Sequence, residues 1–123
     1  MKAKQSTVDW LEAYYAAMDG LRFDAVADFL AEDVHNHYAT GVEVVGRDAI
    51  LERGRKNLGA LERIRHAVRN VWEEDDELVF ELAVTYWRKD GQVIERPGMG
   101  IFVMHDGRIR EQRLFVDANG VWD

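Results

Sequence analysis

The spacing of apolar residues divides the chain into a helical first half and a sheet-forming second half. Apolar side chains recur with the 3.6-residue helical period over residues 8–18, and Gly20 ends that helix. A short second helix over residues 23–30 and a short strand over residues 34–38 are predicted next. Gly46-Arg47-Asp48 then opens a third helix. The first half therefore supplies three helices and one short strand.

Capping residues predict where two of these helices begin. Ser6 stands three residues before Asp9, which is the spacing of a capping box. Asp48 is a suitable N-cap for the third helix, which we expect to end near residues 58–61. Residues 1–5 precede the first of these caps, and we expect them to be disordered.

The second half alternates with a period of two, which is typical of strands with one buried face. The predicted strands are one that begins at residue 64 and three more over residues 78–89, 92–104 and 109–117. Asp90-Gly91 and Asp106-Gly107 predict tight hairpin turns, because glycine accepts a positive φ at little cost. Pro97, Gly98 and Gly100 interrupt the third strand and predict a bulge or bend there. Together these elements predict an α+β domain, in which a strongly curved antiparallel sheet packs on three N-terminal helices around a cavity.

Composition adds several exclusions. The 123 residues suit one domain, 1–123, and the absence of cysteine excludes disulfides, thiolate metal sites and a cysteine nucleophile. A net charge of −7 disfavours nucleic-acid binding. No apolar run approaches the roughly 20 residues that span a bilayer, and no secretory signal follows the basic N-terminus. We therefore expect a cytoplasmic protein with no membrane or nucleic-acid partner.

His66 is the first candidate for chemistry. Strand alternation separates it from Arg63, Arg65 and Arg69, so we expect its ring to point inward. The predicted inward set of this strand is Ile64, His66, Val68, Asn70 and Trp72. A buried imidazole can act as a general acid or base near neutral pH. The alternative interpretation is a core histidine that is hydrogen-bonded to its neighbours.

Other polar residues fall on faces that are predicted to be apolar. Tyr14 shares a helix face with Trp10, so it is either a hydrogen-bond donor in the cavity or a core aromatic. Gln112 lies on an inward strand face. The segment 35–38 (His-Asn-His-Tyr) places two histidines on one face, and Asn36 and Tyr38 on the other. A His-x-His pair needs a further ligand to hold a metal, and the sequence marks none.

The outward face of the sheet mixes large apolar side chains with charged ones. The residues predicted to share this face are Val79, Ala83, Trp87, Ile101 and Phe115, with Glu81, Arg65, Arg69 and Arg113. Such a surface favours a protein partner over free solvent. A two-fold homodimer is the commonest way to cover it, and we expect one here.

The chain resembles the nuclear transport factor 2-like superfamily, and within it the SnoaL-like branch. The matching stretches are residues 14–18 (YYAAM), 29–34 (FLAEDV), 46–50 (GRDAI), 65–72 (RHAVRNVW), 106–109 (DGRI) and 113–117 (RLFVD). The resemblance covers nearly the whole chain. It implies a cone-shaped α+β domain of the cystatin-like type, commonly dimeric, with an apolar pocket inside the cone. The fold hosts unrelated activities, so the resemblance does not itself give a function.

Known members of this superfamily place their functional residues at positions that can be compared. Ketosteroid isomerases have a tyrosine where Tyr14 stands, but their two pocket carboxylates fall at Tyr38 and near Gly100. Epoxide hydrolases and SnoaL cyclases need an aspartate where this chain has Leu114. The resemblance therefore does not carry those three chemistries over to this chain.

Scytalone dehydratase is the closest partial match. The resemblance implies a helix tyrosine at Tyr14 and a strand histidine at His66, and Tyr38 can replace its second tyrosine. Its helix aspartate, however, falls near Tyr15, which is a departure. The predicted catalytic residues are accordingly His66, Tyr14 and Tyr38, with no inward carboxylate identified.

The functional prediction is a small-molecule enzyme of lyase or isomerase type that acts on an apolar hydroxylated or carbonyl compound, without a cofactor or metal. The predicted ligand-binding residues are Trp10, Asn36, Leu82, Val84, Tyr86, Met99, Gln112 and Leu114. Two alternatives stay open. One is a ligand-binding domain without catalysis, and the other is a dimeric protein-interaction module whose pocket is filled by core side chains.

Overall fold

A computed structural model describes residues 1–122. Its elements in chain order are α1 Gln5–Asp19, α2 Phe23–Phe29, β1 Leu30–Tyr38, β2 Glu43–Val45, α3 Arg47–Gly59, β3 Leu61–Glu74, β4 Glu77–Arg88, β5 Val93–His105 and β6 Arg108–Val116. The predicted helices and long strands are all present. The short strand β2 was not predicted, and β1 begins four residues earlier than expected.

The six strands form one curved, unclosed sheet in the order β2-β1-β6-β5-β4-β3. All neighbours pair antiparallel except β1 and β6, which run parallel. The hairpin turns lie where the Asp-Gly pairs predict them, and Gly91 and Gly107 adopt φ of 90° and 77°. The α+β architecture with three helices and a curved sheet is confirmed.

The core lies between the helices and the inner face of the sheet. Strand β4 shows the alternation most clearly, with Leu78, Phe80 and Leu82 buried on one face. Leu11 and Tyr14 on α1 are buried against that face. Each helix is amphipathic and covers part of the sheet, so the sheet has one apolar face and one face open to solvent.

Strand β3 departs from simple alternation. Its pairing with β4 shifts register between Val68 and Val71, which is the signature of an irregularity such as a bulge. As a result Val71 is buried in the core, whereas Asn70 is exposed and Trp72 is only partly buried. The predicted inward set was therefore wrong beyond Val68, because one extra residue moves every following side chain to the other face.

The predicted bulge at residues 97–100 is absent from the pairing of β4 with β5, which runs without a register shift from Glu77 to Trp87. The glycines there permit close packing instead. A Cβ on Gly98 would lie 2.7 Å from Cγ2 of Val116, and one on Gly100 would lie 2.4 Å from Cζ of Phe80. The Val116 and Phe80 side chains of the neighbouring strands thus occupy the space that a Cβ at these two glycines would need.

The predicted helix caps were also wrong. Lys4 is the N-cap of α1 and Gly46 the N-cap of α3, and neither helix has a side-chain cap hydrogen bond. Asp48 lies in the first turn of α3, where its charge interacts favourably with the helix dipole. None of the helices within residues 1–122 has the length and apolar character needed to cross a membrane.

The N-terminal residues differ from the expected disorder. Lys2 forms an isolated antiparallel bridge with Trp72, and the N–H of Ala3 donates to the carbonyl of Val71 at 3.0 Å. The Lys2 ammonium lies 4.4 Å from the centre of the Trp72 ring. These contacts order the segment by pairing it with the exposed edge of β3.

Candidate functional site

A cavity of about 330 Å³ lies between α1, α3 and the inner face of the sheet. This volume is at the lower end of the range for small-molecule sites. Its wall is mainly aromatic and aliphatic, and no acidic side chain within residues 1–122 lines it. The polar groups in the wall are few, so each can be examined for its partners.

Tyr14 and Gln112 form the most deeply buried polar pair. The Gln112 amide donates to the Tyr14 hydroxyl over 2.7 Å, and both side chains are about 2% exposed or less. Burial raises the pKa of Tyr14 well above its ordinary value, so the hydroxyl keeps its proton. Since the hydroxyl oxygen accepts from Gln112, its own O–H is oriented away and can donate to a ligand.

Asn36 and Tyr38 form a second pair on the inner face of β1. The Asn36 amide donates to the Tyr38 hydroxyl over 3.2 Å, while Oδ1 of Asn36 is buried without a hydrogen-bond partner in residues 1–122. Nearby, the guanidinium of Arg53 lies 4.8 Å from the centre of the Tyr38 ring, and its Nε is likewise buried without a partner there. A buried acceptor and a buried donor are thus both unsatisfied beside the same tyrosine.

His66 is held by a carboxylate from the end of α1. Nδ1 of its ring lies 2.5 Å from Oδ1 of Asp19, and its backbone N–H donates to Oδ2 of the same carboxylate over 2.8 Å. Tyr15 stacks on the ring with centroids 4.6 Å apart. His66 and Asp19 together form a dyad. The side chain of His66 is 14% exposed and that of Asp19 is 18% exposed, so water screens the pair only weakly.

This arrangement defines the proton positions of His66. Because both Asp19 oxygens accept, we assign the proton of the neutral ring to Nδ1. Nε2 then carries the free lone pair, and His66 lines the cavity. A carboxylate behind an imidazole orients the ring and stabilises the imidazolium that forms when the base takes a proton.

Eight of the predicted site residues line the cavity: Tyr14, Asn36, Tyr38, His66, Leu82, Tyr86, Gln112 and Leu114. Burial raises the pKa of Tyr86 to about 12, with Arg96 opposing that shift, so this phenol is also a proton donor at neutral pH. All three catalytic candidates and five of the eight ligand-binding candidates therefore lie around one cavity.

Three predicted ligand-binding residues lie elsewhere. Met99 is 44% exposed on the outer face of β5, because the unbroken register with β4 places its glycine neighbours inward. Trp10 stacks on Tyr14 with an interplanar angle of 9° and belongs to the aromatic core beside α2. Val84 pairs with His66 across the strands and is buried in the core, outside the cavity wall.

Sequence reasoning missed Asp19 and Arg53. Asp19 lies one helical turn after Tyr15, so it shares the face of α1 that meets His66. Arg53 belongs to a helical stripe of α3 that lines the cavity with Ile50 and Asn57. The helical spacing was a usable signal in both cases.

The comparisons with known proteins concern both family and fold. A family model described as "SnoaL-like domain" matches residues 11–112. A search of curated proteins finds no match. Many solved structures are similar in fold.

Three of these structures illustrate the likeness. A hypothetical protein with a ketosteroid isomerase-like fold from Catenulispora acidiphila, in complex with trimethylamine, has a TM-score of 0.81 and 17% identity over 90% of this chain and 87% of that one. An NTF2-like protein of unknown function from Exiguobacterium has a TM-score of 0.77 and 24% identity over 87% and 97%. An LEH-like epoxide hydrolase from M. tuberculosis has a TM-score of 0.78 and 18% identity over 91% and 83%. At these identities the likeness shows the fold alone.

Proposed function

For this chain, which belongs to the SnoaL-like domain family, we propose that the cavity is the active site of an acid–base enzyme of lyase or isomerase type. The substrate class is a small, largely apolar compound that carries a carbonyl and a hydroxyl group. The observation that carries this proposal is the 2.5 Å contact between Nδ1 of His66 and Oδ1 of Asp19, which leaves Nε2 as the free base.

The proton transfers follow from that geometry. Nε2 of His66 removes a proton from the carbon beside the substrate carbonyl, and the electron pair of the broken C–H bond moves onto oxygen as an enolate. The hydroxyl of Tyr14 or Tyr38 stabilises that oxygen by donating a hydrogen bond. When the substrate hydroxyl lies on the carbon beta to the carbonyl, the enolate expels it, and the imidazolium, stabilised by Asp19, protonates it so that it leaves as water. When the substrate instead has a carbon–carbon double bond beta,gamma to the carbonyl, the imidazolium returns the proton to the gamma carbon of the conjugated enolate, which is an isomerisation.

The two unsatisfied buried atoms indicate which polar groups the ligand would carry. Nε of Arg53 needs an acceptor, and Oδ1 of Asn36 needs a donor. A ligand with an acidic or enolic oxygen beside a hydroxyl group would satisfy both atoms. Each buried atom left unpaired costs about 1–3 kcal/mol, and pairing with a bound ligand would recover that cost.

A second candidate function is ligand binding without turnover. The absence of an acidic side chain from the cavity wall within residues 1–122 favours it, because no carboxylate in the wall can act as a second acid or base beside His66. An interaction module without a ligand is disfavoured, since a cavity of about 330 Å³ is larger than a packing defect.

Proton exchange distinguishes catalysis from binding without knowledge of the natural substrate. The protein is incubated in D₂O with a panel of aryl 1,3-diketones and hydroxyaryl ketones, and loss of the acidic C–H signal is followed by NMR. We expect exchange that His66→Gln slows by about 100-fold or more. The matched control is His105→Gln, because His105 is exposed on the far end of β5.

The possible results distinguish catalysis from binding without turnover. Exchange of equal rate in the His66→Gln variant and the wild type would contradict the catalytic proposal. A panel member that binds, measured by calorimetry, but exchanges no faster than in buffer would favour the second candidate. Arg53→Met should weaken binding of the more acidic panel members by about 10-fold, because it removes one charge-assisted hydrogen bond.

A further inference from the structure

The outer face of β1 carries a cluster that the cavity does not use. His35 and His37 alternate with Asn36, so their rings lie on the face opposite to the cavity. Strand β2 pairs antiparallel with β1 and places Glu43 beside His37. On the other side, β6 pairs in parallel with β1 and places Glu111 beside His35.

The donor atoms of this cluster converge. Nδ1 of His37 lies 3.1 Å from Oε1 of Glu43, and Nε2 of His35 lies 3.7 Å from Oε2 of the same carboxylate. One ligand atom from each of these three residues lies within 4.8 Å of the others. Ligands bound tetrahedrally to a zinc ion at about 2.1 Å are separated by about 3.4 Å, so small side-chain rotations would bring the three atoms to that spacing.

One of these atoms points to a missing ligand. Nε2 of His35 is buried, although the side chain as a whole is 38% exposed, and it has no hydrogen-bond partner within residues 1–122. The nearest carboxylate oxygen lies beyond hydrogen-bond distance. A cation between this nitrogen and the Glu43 carboxylate would give both a partner.

The surroundings of His37 match the usual support of a metal-binding histidine. When Nδ1 is the ligand, the opposite nitrogen Nε2 carries a proton, and it lies 3.3 Å from Oε1 of Glu111. Metal-bound histidines commonly donate their second N–H to a carboxylate, which fixes the ring orientation, and Glu111 lies close enough to take that role. Arg113 in turn holds Glu111 at 2.9 Å, so Glu111 is a support for the ring and not itself a required ligand.

We propose that His35, His37 and Glu43 form a site for a zinc-class transition-metal ion on the outer face of the sheet. Two imidazole nitrogens and one carboxylate suit Zn²⁺, Co²⁺ or Ni²⁺, whereas Mg²⁺ and Ca²⁺ prefer sets of oxygen ligands. Three protein ligands leave one coordination position for water or for a group of another molecule. The ion would join β2 to β1, because Glu43 of β2 is the further ligand that the sequence did not mark.

The site is tested by titrating the chelator-treated full chain with ZnCl₂ in a calorimeter. We expect one Zn²⁺ per chain with a Kd below about 10 µM. His35→Ala, His37→Ala and Glu43→Gln should each weaken binding by about 10-fold to 100-fold. His105→Ala is the matched control and should bind as the wild type does, since this exposed histidine lies outside the cluster.

A second readout reports the ligand set directly. Co²⁺ in a four-coordinate site with nitrogen and oxygen ligands gives intense visible bands, and these should be lost in His35→Ala and kept in His105→Ala. Absence of stoichiometric binding by wild type, or equal affinities in wild type and His35→Ala, would overturn the proposal. Thermal melting of each metal-free variant verifies its fold, and Glu43→Gln provides a milder variant should an alanine variant fail to fold.

Discussion

The substitution Asp19→Asn tests the dyad most directly, because it changes one oxygen to nitrogen and leaves the shape of the side chain. In the wild type both carboxylate oxygens accept hydrogen bonds from His66. An asparagine has only one acceptor oxygen. Its oxygen must face the backbone N–H of His66, since the opposite orientation would place two donors against each other. Its amide N–H then donates to Nδ1, which moves the ring proton to Nε2.

The expected magnitude follows from the two hydrogen bonds that change. A hydrogen bond to an ionised group contributes about 1.5–3 kcal/mol, and one between neutral groups about 0.5–1.5 kcal/mol. Replacing two hydrogen bonds to an ionised group by two between neutral groups lowers the free energy of unfolding by about 2 kcal/mol. For a domain of this size that is a fall in Tm of about 8 °C. The His66 and Asp19 side chains are only 14% and 18% exposed, so solvent screening reduces this energy difference little.

Two measurements check this prediction. Thermal unfolding gives the change in Tm, and ¹⁵N NMR of the neutral His66 ring shows which nitrogen carries the proton. We expect Asp19→Asn to move that proton to Nε2, which abolishes the free base in the cavity. Asp28→Asn is the control, because Asp28 is an exposed carboxylate on α2. A ring that keeps its proton on Nδ1, with an unchanged Tm, would refute the assigned role of Asp19.

Four further predictions rest on other parts of the fold. Gly100→Ala should destabilise the protein by about 1–3 kcal/mol, because the new Cβ would meet the Phe80 ring at 2.4 Å. In contrast Gly59→Ala, where nothing lies within 4 Å, should stabilise the protein by up to about 1 kcal/mol in urea unfolding. Burial raises the pKa of Tyr14 above 10.0, so the unfolded chain releases a proton that the folded chain retains, and stability falls as pH rises above that value. Tyr14→Phe should make this fall less steep by about 1.4 kcal/mol per pH unit, and an unchanged slope would contradict that account. Phe115→Glu should convert the proposed homodimer to monomers in light scattering, because Phe115 is 48% exposed on the outer face. A wild-type protein that is monomeric in light scattering would contradict the proposed homodimer.

The periodicity of the strands and helices was enough to predict which side chains of the candidate site face the cavity. Alternation places Asn36, Tyr38 and Gln112 on inner faces, and helical spacing places Tyr14 toward the sheet. The same rule fails for Met99, because it lies in a segment where glycines occupy the inward positions. There the glycine pattern suggested a bulge that the strand pairing does not contain.

What the sequence by itself determined is what local chemistry controls: the three helices, the Asp-Gly hairpin turns, and the face of the strand that carries His66. These depend on residues close together in the chain, whose periods and turn preferences can be read directly. Only the tertiary structure decided the carboxylate of the dyad, since Asp19 lies 47 residues from His66 and meets it through packing of α1 on β3. The same holds for Glu43 beside His37, because strand register across β2, β1 and β6 brings their side chains together. Contacts between distant segments depend on register and packing, which no local pattern encodes.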